Sequence, residues 1–170
     1  MKTIDISRPN IGMRPAIAAD LPYLDEVRQA AFEPIFDSFR SILGQEIYDF
    51  AQAHEDETQG ELLTSSFASN SAWQVYTAEI NSTIVGFVSI QLNQEKLLGE
   101  IGLNAVHPDH AGNGIGTTMY NFAIDKMKEA GMQVATVGTG GDPSHAPARR
   151  AYEKAGFTTQ IPSVWLCQKL

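Results

Sequence analysis

The stretch His107-Pro108-Asp109-His110-Ala111-Gly112-Asn113-Gly114-Ile115-Gly116 is followed by a helical pattern, and its reading decides the fold. Glycines at alternate positions strip side chains from a loop that leads into a helix. Such a loop turns several backbone N–H groups toward one point, and the helix behind it adds the positive end of its dipole. Together they make a site for a phosphate or pyrophosphate. The loop therefore predicts an anionic cofactor.

Two common glycine-rich loops are excluded by spacing. A dinucleotide fingerprint G-x-G-x-x-G needs a third glycine at 117 or 119, where the chain has Thr117 and Met119. A G-x-x-x-x-G-K loop needs a lysine directly after its glycines, and none follows before Lys126.

Outward from the loop, the pattern alternates strands and helices. Ile11–Pro15 reads as a strand. Asp20 caps a helix carrying Leu21, Leu24, Val27 and Ala31 or Phe32 on one face. Pro34 is expected to interrupt it. A second helical region, from about Phe39 to His54, has Ile42, Leu43, Ile47 and Phe50 as its stripe. Glu55–Gly60 reads as a turn and Glu61–Ala68 as a short helix. Trp73–Ile80 and Ile84–Gln91 form a hairpin around Asn81-Ser82-Thr83. Leu97–Val106 is the next strand. A helix from about Gly114 to Ala130 follows, with Ile115, Met119, Phe122 or Ala123, Met127 and Ala130 as its buried stripe and Gly131 at its C′ position. Gln133–Gly138 is a strand, and Pro147 opens a helix that ends at Gly156. Phe157–Thr159 and Ser163–Lys169 are expected to close the sheet. Strand, loop, helix and strand between Leu97 and Gly138 make a βαβ unit, so those two strands should be parallel. The fold class is α/β: a mixed, mostly antiparallel sheet with one parallel step, flanked by helices. Residues 1–170 read as a single domain, with 1–10 as a lead-in.

A second signal lies at Ala148-Arg149-Arg150-Ala151-Tyr152-Glu153-Lys154-Ala155-Gly156-Phe157. With the glycine loop, it resembles the GNAT superfamily of acyl-CoA-dependent N-acetyltransferases. The cofactor loop of that family reads R/Q-x-x-G-x-G/A, and Ala111 through Gly116 fits it in spacing. The later signature N-x-x-A-x-x-x-Y-E-K-x-G-F is met at Ala148, Tyr152, Glu153, Lys154, Gly156 and Phe157. The chain departs from the pattern at Ala111, in place of Arg or Gln, and at His145, in place of Asn.

The resemblance implies the GNAT fold, acetyl-CoA as cosubstrate, no metal, and an amine of a small molecule or peptide as acceptor. Carried over residue by residue, it implies a pyrophosphate cradle from Ala111, Gly112, Asn113, Gly114, Ile115 and Gly116. Asn104, Ala105 and Val106 would pair with the pantetheine arm, and His145 and Ala148 would also border the cofactor. It makes Tyr152 the acid that protonates the departing thiolate, since a phenol is protonated at neutral pH. Glu100 is the candidate base, with ordered water as the alternative. Strict alternation puts Glu100, Gly102, Asn104 and Val106 on one face. His107 and His110 flank the phosphate end, and Arg149, Arg150 or Lys154 could add positive charge there. The acceptor pocket is expected from residues 20–70, with Phe32, Phe36, Phe39, Tyr48 and Trp73 as walls and Glu33, Asp37 and Glu46 to attract a cation. A non-catalytic acyl-CoA-binding module is the competing class.

The bulk numbers set bounds on these readings. The formal charge of −8 argues against nonspecific nucleic-acid binding and suits a cationic acceptor. Lone Cys167 excludes an internal disulfide and suits a reducing, cytoplasmic compartment. Met1–Asn10 has no apolar signal-like core, and no apolar run is long enough to span a membrane. The last strands are placed to exchange or pair across a homodimer.

Overall fold

The computed structural model describes residues 9–170, so most of the expected lead-in lies outside the described residues. One five-stranded sheet runs in the order β1-β2-β3-β4-β5. Its strands are β1 (Gly12–Pro15), β2 (Trp73–Ile80), β3 (Thr83–Asn93), β4 (Leu98–Val106) and β5 (Val134–Val137). All neighbours are antiparallel except β4 and β5, which are parallel across helix α4 (Ile115–Glu129). The fold class expected from the sequence is the one observed. Asn81 and Ser82 both take positive φ between β2 and β3, the geometry that a tight hairpin needs.

Helix α1 (Leu21–Leu43) covers one face of the sheet and leads into α2 (Gln45–Ala51) and α3 (Ala53–Ser65). Leu24, Val27, Leu63, Val75, Phe87 and Ala105 form the core on that face. Helices α4 and α5 (Ala146–Lys154) cover the other face. A larger core there includes Val88, Ile90, Ile101, Ile115, Met119, Met127 and Tyr152. As expected, the α4 stripe is buried at Ile115, Met119, Ala123 and Met127, and Gly131 ends the helix at φ 81°.

Five expectations are corrected. Pro34 does not interrupt α1, which runs through it. Pro34 is exposed, so water can satisfy the carbonyl that lost its donor. Asp20 does not cap the helix with its side chain. It accepts instead from the Ile17 N–H at 2.8 Å and from Arg14 at 2.7 Å, and the bond from Arg14 holds its carboxyl below the usual range.

The stripe read through Ile42 and Phe50 is broken at Gly44, whose φ of 72° turns the chain. Ile42 and Phe50 are exposed, whereas Tyr48 is buried and donates to Asp56 at 2.6 Å. Glu55–Gly60 is not a turn but part of α3.

The fifth correction concerns the C-terminal region: no residue after Lys154 belongs to a strand. β5 is therefore the last strand of the sheet, and Phe157–Thr159 and Ser163–Lys169 do not close it. Among the described residues, no helix is long and apolar enough to cross a membrane.

Candidate active site

The site begins at an irregularity in β4. Val88 faces Asn104 and Ile90 faces Ile101, so the single residue Ser89 opposes both Gly102 and Leu103. This is a β-bulge. The Ser89 hydroxyl donates to the Leu103 carbonyl at 2.9 Å and holds the extra residue in place. Gly102 is required by packing, because a Cβ there would lie 2.5 Å from the Trp73 ring. A glycine inside a strand pattern is the sequence signal for such a bulge.

The bulge has two consequences. The first is that strict alternation fails. Ile101 belongs to the core under α4 and α5, so its neighbour Glu100 points to the α1 face, beside Gln91 and Trp73. Asn104 lies on the opposite face, where it meets side chains from α4 and α5. Glu100 and Asn104 therefore do not share a face, contrary to the sequence expectation. Glu100 is exposed.

The second consequence is a gap. β5 pairs with β4 only from Leu98 to Ile101. From Gly102 to Val106, which includes Asn104, Ala105 and Val106, β4 has an edge unpaired by β5.

Tyr152 lies below this edge, 5% exposed. Its hydroxyl accepts from the Asn104 amide at 3.0 Å. The Tyr120 hydroxyl donates to the other end of that amide at 2.8 Å, and the two tyrosine rings stack with centroids 4.3 Å apart. Burial pushes the Tyr152 phenol above its ordinary pKa, while the hydrogen bonds from Tyr120 and Asn104 act against that rise. Tyr152 is thus neutral at physiological pH, with an oxygen polarised by a donated hydrogen bond. Tyr120 and its bond to Asn104 were not read from the sequence, where Tyr120 stood only as one residue of a helical pattern.

The free edge leads directly into the glycine loop. Gly112 and Gly114 both have φ of 80°, and the space around them is open. Ala111, Gly112, Asn113 and Gly114 are exposed, and Ile115 is buried as the first residue of α4. The Asn113 side chain donates back to the His110 carbonyl at 3.1 Å and pins the loop. The first N–H groups of α4, including those of Ile115 and Gly116, have no partner within the helix. Gly116 packs against α5, where a Cβ would be in ordinary contact with that of Ala151 at 3.5 Å. The arrangement fits a pyrophosphate held by amides and a helix dipole.

The far side of the gap is organised by Asp142. It accepts from Ser38 of α1 at 3.1 Å, from the Ser144 hydroxyl, and from His145 at 2.5 Å. Burial would push its carboxyl up, but the bonds from Ser144, His145 and Ser38 prevail and hold it down at about 2. His145 also stacks on Phe39 of α1 at 5.9 Å. Arg149 donates to the carbonyls of Gly140 and Asp142, so it braces this turn rather than extending toward the glycine loop. Arg150, Glu153 and Lys154 are exposed on α5.

The expected acceptor residues divide. Tyr48 is core, Phe32 packs into the α1 core, Asp37 pairs with Arg40 and Glu46 with Lys169. Glu33 and Phe36 instead line a groove of about 700 Å³ with Asp25, Glu26, Arg40 and His107.

Comparisons with known proteins agree with this architecture. Residues 36–157 match the Acetyltransferase (GNAT) family. The chain is 30% identical over 97 residues to an uncharacterised N-acetyltransferase of Methanocaldococcus jannaschii, a match covering 54% of this chain and 42% of that protein. The chain thus spans less than half the length of that relative.

Among solved structures, the Escherichia coli ribosomal-protein-S18-alanine N-acetyltransferase superposes with a TM-score of 0.64 at 16% identity, over 89% of this chain and 80% of that one. An aminoglycoside acetyltransferase from an uncultured soil sample, in complex with sisomicin, gives 0.62 at 18% identity over 94% and 96%. A GNAT family acetyltransferase from Brucella melitensis, in complex with acetyl-CoA, gives 0.60 at 18% identity over 90% and 92%.

Proposed function

Because the chain belongs to the acetyltransferase (GNAT) family, we propose that it transfers an acetyl group from acetyl-CoA to a primary amine of a small molecule or peptide, by direct attack in a ternary complex. The observation that carries this reading is the continuous path from the unpaired edge of β4 to the exposed amides of the glycine loop, with the Tyr152 hydroxyl beneath it. The Brucella melitensis neighbour in complex with acetyl-CoA supports the choice of donor.

In this reading Asn104, Ala105 and Val106 hold the pantetheine arm along the free edge. The amides of residues 111–116 hold the pyrophosphate, so Ala111 in place of a cation weakens binding without removing the site. His145 has its Nδ1 engaged by Asp142; it and Ala148 border the arm from the α5 side. The acceptor enters from the α1 face. Glu100, or a water it orders, takes the ammonium proton there. The free amine attacks the thioester carbonyl, a C–N bond forms and the C–S bond breaks. Tyr152 gives its proton to the departing thiolate and is restored by the second proton that the acylated nitrogen loses. The protein is proposed to work in the cytoplasm, without a metal.

The test is thiol release from acetyl-CoA against a panel of amines, with acetyl-CoA binding followed by calorimetry. Binding with release for one amine class is the expected result and names the acceptor. Binding without release across the panel would favour the acyl-CoA-binding module. No binding would overturn the assignment of the glycine loop.

A further inference from the structure

Two phenols lie side by side under the free edge of β4. Tyr120 and Tyr152 are 3% and 5% exposed, and their rings stack with centroids 4.3 Å apart. By residue type either could donate a proton. Their bonds to Asn104 tell them apart. The Asn104 amide nitrogen lies 2.8 Å from the Gly102 carbonyl and 3.0 Å from the Tyr152 hydroxyl, and its oxygen lies 2.8 Å from the Tyr120 hydroxyl. A carbonyl only accepts, so the atom facing Gly102 is the NH2 group. A flipped amide would set oxygen against oxygen. Both N–H bonds are then spent, one on Gly102 and one on the Tyr152 oxygen. The amide oxygen takes the Tyr120 proton. The Tyr152 proton reaches that oxygen only at 3.4 Å, where a closer donor already binds. The anchor is the bulge itself: Gly102 is one of the two residues opposing Ser89, and a bulge leaves backbone groups outside the ladder.

We propose that Asn104 is a positioning residue that sorts the two phenols: its amide commits the Tyr120 proton and leaves the Tyr152 proton free for a thiolate in the gap between β4 and β5. The chemical use of this sorting rests on the acetyl-transfer reading; the wiring does not. As the C–S bond breaks, the Tyr152 O–H bond breaks and an S–H bond forms. The Asn104 N–H stays on the phenolate oxygen until the proton shed by the acylated nitrogen restores it. The ionisation of the pair agrees with this order. Burial and then Tyr152 push the Tyr120 phenol up, whereas bonds from Tyr120 and Asn104 ease the rise that burial imposes on Tyr152.

Single-turnover thiol release with the amine that the panel identifies, beside acetyl-CoA calorimetry, tests it. The variants are Asn104→Asp, Tyr120→Phe, Tyr152→Phe, and Asn104→Asp combined with Tyr152→Phe. A carboxylate at 104 has the shape of the amide but only accepts, so it takes the Tyr152 proton as well. Asn104→Asp should lose about 10²-fold or more in rate, as Tyr152→Phe does, with acetyl-CoA affinity held. In the Tyr152→Phe background it should cost nothing further. Tyr120→Phe leaves the amide anchored on Gly102 and should cost about two- to tenfold, the worth of one hydrogen bond. Equal losses for the two phenols would overturn the sorting. So would an Asn104→Asp loss that is the same in both backgrounds, or no loss at all. Raman spectroscopy gives a readout that needs no amine, because the Fermi doublet of a tyrosine differs between an accepting and a donating phenol. The spectrum of the unmodified protein minus that of Tyr152→Phe should show an accepting phenol, and minus that of Tyr120→Phe a donating one. The reverse assignment overturns the proposal. Full turnover in Tyr152→Phe would overturn the acid role itself, and the sorting with it; the other losses count against the sorting alone when Tyr152→Phe is slow.

Discussion

The two faces of the sheet are built differently. Under α4 and α5, thirteen buried residues form one core that reaches from Tyr76 to Tyr152. Under α1, six buried residues do the same work. Buried apolar area holds side chains in single rotamers and resists local opening. The first face carries the glycine loop, Asn104 and Tyr152, to which the proposed function assigns the donor. The second carries Glu100 and the grooved α1 layer, to which it assigns the acceptor. The larger core thus lies on the proposed donor side, where fixed geometry would matter more.

Substitutions on each side can break or sharpen this contrast. The largest effect is expected at Tyr152→Phe. It should lower turnover by about 10²- to 10⁴-fold, the usual contribution of a placed acid, with acetyl-CoA affinity little changed. Single-turnover kinetics beside calorimetry checks it. An unchanged rate would remove the acid from the donor face.

Glu100→Gln comes next, with a loss on the order of 10²-fold that should depend on the acceptor. Amines of high pKa should suffer most, because they need the base. Equal losses for all amines would mean that the two faces do not divide the chemistry.

Gly114→Val should weaken acetyl-CoA binding by roughly tenfold, because a side chain at a left-handed position costs about 1–2 kcal/mol. Turnover at saturating acetyl-CoA should be nearly unchanged.

Asn104→Ala removes the hydrogen bond that favours the phenolate of Tyr152. The phenol pKa should rise, and the basic limb of the pH–rate profile should move up by roughly one unit or less, the worth of one hydrogen bond.

The smallest effect concerns stability in acid. The Asp142 carboxyl is held at about 2, below its ordinary 3.8. A depressed carboxylate contributes stability in full above 3.8, and this is lost as pH falls through about 2. Asp142→Asn should flatten that part of the acid-unfolding curve. Unfolding followed by circular dichroism between those pH values would show it.

What could be read from the sequence divides along similar lines. The α4 stripe was legible because Ile115, Met119, Ala123 and Met127 keep helical spacing on a buried face. The hairpin at Asn81-Ser82 and the parallel β4–β5 pair were legible for local reasons of turn chemistry and connection length. The helix breaks around Pro34 and Gly44 were misread because exposure, which no local pattern gives, decides whether a proline is tolerated. The glycine loop and Tyr152 stand out as motifs. Their supports do not: Tyr120, Ser38 and Ser89 act through contacts between distant segments. Residues 163–169 were read as a strand from their composition, and that composition remains their most telling property. Candidate site residues could be proposed from the sequence. The face each one occupies was not, because one extra residue in β4 inverts the count.

That extra residue works as a change of phase. Every position in β4 after Gly102 has its parity reversed relative to those before it. Deleting Gly102 would close the bulge: Ser89 would face Leu103 alone, and Asn104 and Ala105 would keep their faces and their register with β3. The strand thus carries one residue of slack, placed beside the candidate site, that a single deletion takes up without inverting either half.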